Sequence, residues 1–193
     1  MAYHRTFIAI NLPQKAKNII AEAISDWQNL LADQIELPIK WTLGANLHLT
    51  LVFLGNITDD DIFIIGKKIT QIAASTEPFY LHFTNFVYGP KDFVKTDMPH
   101  MIWLKGEENP KLIALQNELE KAFEMGGQKK KFTSHITIGR VKTSSKAEIN
   151  KFPKTFNKKC EITVPVSSIE FMESELRPGR PQYTVLLSAS FNI

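Results

Sequence analysis

Apolar residues recur along the chain at two different spacings, and these predict a mixture of helices and strands. Steps of three and four residues predict an amphipathic helix with Pro13 at its first position. Its apolar positions are Ile19, Ile20, Ala23, Ile24, Trp27, Leu30 and Leu31. Thr58, followed by three aspartates, is predicted to cap a second helix, and Asn109-Pro110 to open a third that ends at Gly126-Gly127. A fourth, short helix is predicted to begin near Ser144.

Runs rich in branched and aromatic residues lie between these helices and predict strands. They cover residues 6–10, the surroundings of Trp41, and residues 47–54, 79–87, 101–105, 160–172 and 183–191, with one more strand around His135. The succession helix, strand, helix, strand, strand therefore occurs twice. We expect each half of the chain to form a small antiparallel sheet backed by helices. The predicted fold is α+β, with residues 1–193 forming one domain of two pseudo-symmetric lobes and a central cleft.

The two halves share a short motif at equivalent points, His48-Leu49-Thr50-Leu51 and His135-Ile136-Thr137-Ile138. Side chains two apart in a strand share a face, so each histidine projects with its threonine while the aliphatic residues face the core. A pseudo-two-fold axis would bring the two histidines together across the cleft. The simpler interpretation is a pair of half-exposed strands, with threonine present because β-branched residues suit strands.

The other histidines are interpreted as structural. His82-Phe83-Thr84 repeats the spacing, but Asn85 is polar where both motifs have an aliphatic residue. His82 is therefore predicted to be an ordinary strand residue. We expect His4 and His100 to be surface or edge residues.

Composition narrows the function classes without choosing one. The net charge of +3 suits a ligand that carries phosphate and is low for a dedicated nucleic-acid binder. A lone cysteine, Cys160, excludes an internal disulfide and multi-cysteine zinc sites. The lack of a recognisable leader or membrane span predicts a cytoplasmic protein.

Two opposed histidines, each with a threonine hydroxyl beside it, suit proton transfer at a phosphodiester. One neutral imidazole can accept a proton while an opposed imidazolium donates one. Threonine hydroxyls can donate to the non-bridging oxygens of a phosphoryl group. A metal site is disfavoured, because two histidines without clustered acidic or cysteine residues fall short of a usual ligand set.

The paired motifs resemble the HxTx motifs of the two-histidine (2H) phosphoesterases. RTFIAINLP, NLHLTLVFLG, the LIALQNELEKAF helix, SHITIGRV and FMESELRPGRPQYTVL are similar to the RNA 2′,3′-cyclic phosphodiesterase branch, formerly called 2′-5′ RNA ligases. The resemblance implies hydrolysis of terminal 2′,3′-cyclic phosphates to 2′-phosphomonoesters, without a cofactor or metal, by a monomer that acts on RNA ends.

The resemblance also implies residue roles. His48 would be the proton donor and His135 the proton acceptor, while Thr50, Thr137 and Arg140 would bind the phosphate. The sequence alone leaves the acid and base roles exchangeable, and in reverse the pair could join a 2′-5′ linkage. Five residues after His135, Arg140 has the wrong strand parity for the cleft unless a bulge or strand end near Gly139 redirects it.

Other features leave alternatives open. Ser134 stands where the family usually has proline, which predicts a less rigid approach to the second motif. Lys129, Lys130 and Lys131, and the lysines between 142 and 159, could flank an RNA backbone or simply be solvated loop residues. The alternative functions are a non-catalytic module for single-stranded RNA and an enzyme for 2′-5′ oligonucleotides or a small cyclic nucleotide.

Overall fold

The computed structural model describes residues 2–32, 39–90, 100–124, 132–142, 157–177 and 180–192. The helices described are α1 (Gln14–Ala32), α2 (Asp59–Ala74) and α3 (Pro110–Ala122), with a 3₁₀ turn at Gly44–Asn46. The strands are β1 (Tyr3–Asn11), β2 (Ile39–Trp41), β3 (His48–Thr58), β4 (Phe79–Gly89), β5 (Met101–Gly106), β6 (His135–Val141), β7 (Asn157–Val166), β8 (Ser168–Arg177) and β9 (Arg180–Ser190). The helix predicted near Ser144 and the helix stop at Gly126-Gly127 lie outside the described residues.

Local capping chemistry explains where the helices begin. At α2 the Thr58 backbone N–H and hydroxyl both donate to the Asp61 carboxylate, at 2.9 and 2.7 Å. At α3 the Asn109 side chain accepts the Leu112 backbone N–H at 3.1 Å. The predicted cap at Thr58 and the predicted helix start at Asn109-Pro110 are confirmed. Helix α1 begins at Gln14, one residue later than predicted. The Lys17 backbone N–H donates to the Pro13 carbonyl at 3.1 Å and so closes the first turn.

The strands form two antiparallel sheets, but the chain crosses between them. The four-stranded sheet has the order β3-β1-β8-β9, and the five-stranded sheet has the order β2-β6-β5-β4-β7. The expectation that each half of the chain makes its own sheet is therefore wrong, because the first and last strands share one sheet. The single strand expected at 160–172 is also wrong. It is two strands, separated at Ser167, that belong to different sheets.

The predicted pseudo-symmetry appears once strand order is compared. The row β3-β1-β8-β9 corresponds to β6-β5-β4-β7, with β2 added at the edge beside β6. The repeated unit is a strand, a helix and a strand carrying the His-x-Thr motif, namely β5-α3-β6 and β1-α1-β3, the latter with β2 and the 3₁₀ turn between α1 and β3. These two sheets with helices confirm the α+β fold class.

Helices cover the sheets and complete a continuous core. Helix α2 packs against β8, β9 and β3, helix α1 against β7, and helix α3 against β3 and α2. Buried side chains from both sheets, among them Ile8, Leu49, Phe83, Ile136 and Phe171, belong to one apolar cluster. None of the described helices has the length and apolar character needed to cross a bilayer.

Candidate active site

The two motif strands present their histidines and threonines to one cavity. Leu49, Leu51, Ile136 and Ile138 are buried in the core, as strand alternation predicts. The opposite faces of β3 and β6 contribute His48, Thr50, His135 and Thr137 to the wall of a single cavity of about 740 Å³. The structure therefore brings together the four residues that the sequence placed on two separate strands.

A β-bulge occurs at the same point of each motif. On β6, Trp103 pairs with Thr137 and Ile102 with Gly139, which leaves Ile138 as the extra residue. On β3, Ala9 pairs with Thr50 and Ile8 with Val52, which leaves Leu51 as the extra residue. Both are the fourth residue of the motif. The strand face is therefore shifted by one residue beyond each bulge.

The bulge on β6 resolves the parity problem of Arg140. Beyond Ile138, Arg140 pairs with Met101 on the same face as Thr137, and it lines the cavity. Its Nη1 lies 3.7 Å from the Met101 Sδ. The position equivalent to Arg140 on β3 is Phe53, which also lines the cavity and is 61% exposed. The two flanks of the otherwise symmetric cleft therefore differ, one cationic and one aromatic.

Matching hydrogen bonds orient the two imidazoles. His48 Nδ1 lies 2.7 Å from the Asn46 carbonyl oxygen, and His135 Nδ1 lies 2.7 Å from the Thr133 carbonyl oxygen. A carbonyl can only accept, so each Nδ1 carries the proton and each Nε2 is left for chemistry. The Nε2 of neutral His48 accepts from the Thr50 hydroxyl at 3.1 Å.

Burial keeps both imidazoles neutral near physiological pH. It is the main cause that lowers the pKa of His48 from 6.5 to about 4, against the bond to the Asn46 carbonyl, which raises it. The charges of Lys17 and Arg140 also favour the neutral form of His48. Burial likewise lowers the pKa of His135, against the bond to the Thr133 carbonyl.

Aromatic rings pack differently against the two histidines. The His48 ring has Phe7 tilted at 5.0 Å between centroids and Tyr183 edge-on at 5.1 Å. The His135 ring is stacked on Trp103, with centroids 3.9 Å apart and planes 28° from parallel. The motif alone therefore does not determine the surroundings of each imidazole.

The charged residues of the cavity favour an anion. Among the described residues, Arg5, Lys40 and Arg140 line it together with one carboxylate, Glu120. Three cations against one anion give the cavity a net positive charge when both histidines are neutral. The part of the chain that the structure describes contains no group of three or more His, Cys, Asp or Glu placed to hold a metal ion.

The remaining histidines lie outside the cavity wall, as expected. His82 is exposed on β4, with its Nδ1 3.0 Å from the Thr163 hydroxyl. His100 is exposed and its carbonyl accepts the Val141 N–H. His4 also has a threonine two residues on, Thr6, but its ring nitrogens lie 2.7 and 2.8 Å from carboxylates of Glu173 and Asp59.

The approach to the second motif uses Ser134 in a buried position. Its carbonyl accepts the Gly106 N–H at 2.9 Å, which ties the start of β6 to the end of β5. Of the lysines considered for RNA contacts, 129–131 and those within 143–156 lie outside the described residues, while Lys142 and Lys159 are exposed.

Several cavity residues were not singled out by the sequence. Phe53 follows His48 by five residues, as Arg140 follows His135, so the shared offset was a usable signal. Arg5 and Tyr183 come from β1 and β9, far from either motif, and only the strand order places them at the cleft. The stacking of Trp103 on His135 likewise depends on the pairing of β5 with β6.

The fold and site define an α+β protein whose two related lobes bring a His-x-Thr strand each to one anion-attracting cleft. Residues 17–177 match the 2′-5′ RNA ligase superfamily, and the chain belongs to that family. It is 29% identical to an RNA 2′,3′-cyclic phosphodiesterase of Thermotoga maritima, covering 97% of this chain and 95% of that protein. A protein of the same name from Archaeoglobus fulgidus is 25% identical, with 94% and 92% covered.

Solved structures share the fold along the whole chain. The crystal structure of TT0787 of Thermus thermophilus superposes with a TM-score of 0.78 at 24% identity, covering 97% of both chains. Escherichia coli LigT, crystallised with 3′-AMP, gives a TM-score of 0.72 at 21% identity and covers 100% of both chains. At these identities the likeness concerns the fold.

Proposed function

We propose that this protein is an RNA 2′,3′-cyclic phosphodiesterase that hydrolyses a terminal cyclic phosphate to a 2′-phosphomonoester without a metal ion. Membership of the family and the names of the curated relatives support the proposal. The observation that carries it is the matched pair of imidazoles, each fixed through Nδ1 to a backbone carbonyl beside one shared cavity. The proposed enzyme is a cytoplasmic monomer with one bilobal domain.

In the proposed reaction the two histidines act on opposite sides of phosphorus. Neutral His135 takes a proton from water at Nε2 while the water oxygen forms a bond to phosphorus. The bond from phosphorus to the 3′ oxygen breaks, and protonated His48 gives that oxygen its proton. The 2′ ester bond is retained, so the product is a 2′-phosphate.

The negative charge of the bound substrate favours the protonated form of His48, which is the form that can act as an acid. Burial makes His48 neutral in the free protein, with a pKa of about 4. A phosphodiester anion beside Nε2 favours the imidazolium form and raises the pKa of His48 in the complex. Substrate binding and protonation of His48 are therefore linked, whereas His135 has to remain neutral.

Thr50, Thr137 and Arg140 are proposed to hold the phosphoryl oxygens. The threonines share the strand faces of the two histidines and line the same cavity. Their hydroxyls can donate to the oxygens as negative charge develops during attack. Arg140 reaches that face because of the bulge at Ile138, and its guanidinium can donate two parallel hydrogen bonds to a phosphate.

The test is turnover of an oligonucleotide that ends in a 2′,3′-cyclic phosphate, with a chelator present. We expect a 2′-phosphate product; a 3′-phosphate, or loss of activity on chelation, would contradict the proposal. His48→Ala and His135→Ala should each reduce kcat by about 10² to 10⁴ with the fold intact. His82→Ala is the matched control, because His82 lies on a strand outside the cavity.

The name of the 2′-5′ RNA ligase superfamily, to which the chain belongs, favours a second substrate class, 2′-5′ linked oligonucleotides. The phosphorus atom of such a linkage would lie between the same two imidazoles. Parallel assays with a cyclic-phosphate end, a 2′-5′ dinucleotide and a small 2′,3′-cyclic nucleotide separate these substrates by kcat/KM. Tight, strongly salt-dependent RNA binding without turnover of any substrate would instead indicate a binding module.

A further inference from the structure

The stacked pair of Trp103 and His135 distinguishes the second histidine from the first. The centroid separation of 3.9 Å and the 28° angle between the planes put the imidazole against the indole face. At the corresponding place beside β3, Ala9 pairs with Thr50 as Trp103 pairs with Thr137. The lobe of His48 therefore has no indole at that position.

Gly89 provides the space in which the indole lies. A Cβ at Gly89 would lie less than 3.0 Å from three carbon atoms of the Trp103 indole, Cδ2 and Cε2 among them. Any other residue at this point of β4 would therefore displace the ring. The buried Trp103 Nε1 has no hydrogen-bond partner in the part of the chain that the structure describes, so contacts of the ring, not its N–H, fix its position.

The stack favours a positive charge on His135. The face of an indole is the negative end of its quadrupole, so it stabilises a cation that lies over it. At His48 the edge-on Tyr183 and tilted Phe7 offer a poorer arrangement, and the charges of Lys17 and Arg140 oppose an imidazolium there. The two imidazoles thus differ in how well their surroundings accommodate a proton.

We propose that Trp103 is a positioning residue for His135: seated on Gly89, its indole fixes the imidazole plane and stabilises the imidazolium formed when His135 takes a proton from water. This deepens the proposed function, on which it rests: burial keeps resting His135 neutral, and the stack makes that neutral imidazole a stronger proton acceptor as water attacks. Trp103 does not line the cavity formed by the described residues, so it acts through His135 and not on the substrate.

Other charged and titratable groups surround the pair and remain constant in the test. Those of the described residues that line the same cavity or pair directly with His135 are Arg5, Lys40, His48, Lys105, Glu120, Arg140 and Tyr183.

The direct test is an NMR titration of the His135 ring in Trp103→Phe and Trp103→Leu. Phenylalanine and leucine are both apolar and similar in volume, but only phenylalanine keeps an aromatic face. We expect the pKa of His135 in the leucine variant to be lower than in the phenylalanine variant by about 0.5, the shift expected when a partly exposed cation–π contact is lost. An equal or higher pKa in the leucine variant overturns the proposal.

Two further variants test whether the effect depends on the position of the indole and whether it is specific to the stack. Gly89→Ala keeps the tryptophan but displaces its ring, so it should lower the pKa of His135 in the same direction; an unchanged value counts against the proposal. Phe7→Leu changes a ring beside His48 and should leave the titration of His135 unchanged. A change as large as that of Trp103→Leu would show that the effect is not specific to the stack.

Kinetics add a readout that a purely structural role would not produce. In Trp103→Leu, kcat should fall with little change in KM. The acidic limb of its pH profile of kcat/KM should move to lower pH together with the pKa of His135. Trp103→Phe should retain part of the kcat that Trp103→Leu loses. If no substrate turns over but the order of NMR values is as expected, the proposed function fails and the stacking effect stands. If turnover is normal and that order is absent, the inference about Trp103 fails alone.

Discussion

The burial of His48 predicts a specific loss of stability in acid. Its pKa falls from 6.5 to about 4 on folding, so between these values the unfolded chain binds a proton that the folded protein does not. For a histidine shifted downward, the folded state is penalised as the pH falls below the unfolded value. The penalty is complete near the folded value.

The size of this effect follows from the two pKa values. At about pH 5 an unfolded histidine is almost fully protonated and His48 in the folded protein is almost fully neutral, which corresponds to about 2 kcal/mol. Because the ring keeps some contact with solvent, we expect about 1 to 2 kcal/mol in practice. At about pH 7.5 the same linkage contributes almost nothing.

The assay is urea unfolding of the wild type and His48→Asn at these two pH values. Asparagine can still donate a hydrogen bond toward the Asn46 carbonyl but does not titrate. The loss of unfolding free energy between the two pH values should be about 1 to 2 kcal/mol smaller in His48→Asn. His82→Asn, on the exposed face of β4, controls for removal of an imidazole. Equal losses in the wild type and His48→Asn would refute the linkage.

Three further predictions concern single positions. Arg140→Ala should lower kcat/KM by about tenfold to a hundredfold through loss of charged hydrogen bonds to phosphate, and Arg140→Lys should recover only part, which steady-state kinetics will check. Gly89→Ala should lower the thermal midpoint, because overpacking against the Trp103 ring costs about 1 to 3 kcal/mol; Gly44→Ala, where a Cβ meets nothing within 4 Å, is the control, and similar shifts in both would contradict this. Thr58→Ala should cost about 1 kcal/mol in chemical denaturation through loss of the bond to Asp61, whereas Thr58→Ser should cost much less.

Local chemistry explains why much of the fold was accessible from the sequence. Asn109 and Thr58 cap helices through bonds to residues three positions away, so the relevant partners are adjacent in the chain. The faces of the motif strands follow from a two-residue period that depends on nothing outside the strand. The division of 160–172 at Ser167 was missed although Pro165, Ser167 and Ser168 are residue types that often end strands, because apolar residues are buried on both sides, in β7 and in β8.

The part of the candidate site that lies within the two motifs could also be predicted from the sequence. His48, Thr50, His135 and Thr137 share short motifs, and the structure places them at one cavity. The place of Arg140 depends on a bulge that arises from the pairing of β5 with β6, and strand parity alone predicted the opposite face. The partners of the imidazoles, among them Tyr183 and Trp103, depend on strand neighbours that lie far apart in sequence.

The crossing of the chain between sheets has a consequence for how the protein can be assembled. The strand that carries the first histidine shares its sheet with β8 and β9, at the far end of the sequence. During synthesis, that half of the cleft cannot form until residues 168–190 have left the ribosome. A nascent chain that already contains both histidines would therefore still lack a finished cleft, and the lobe of the first histidine cannot be cut out as a continuous fragment.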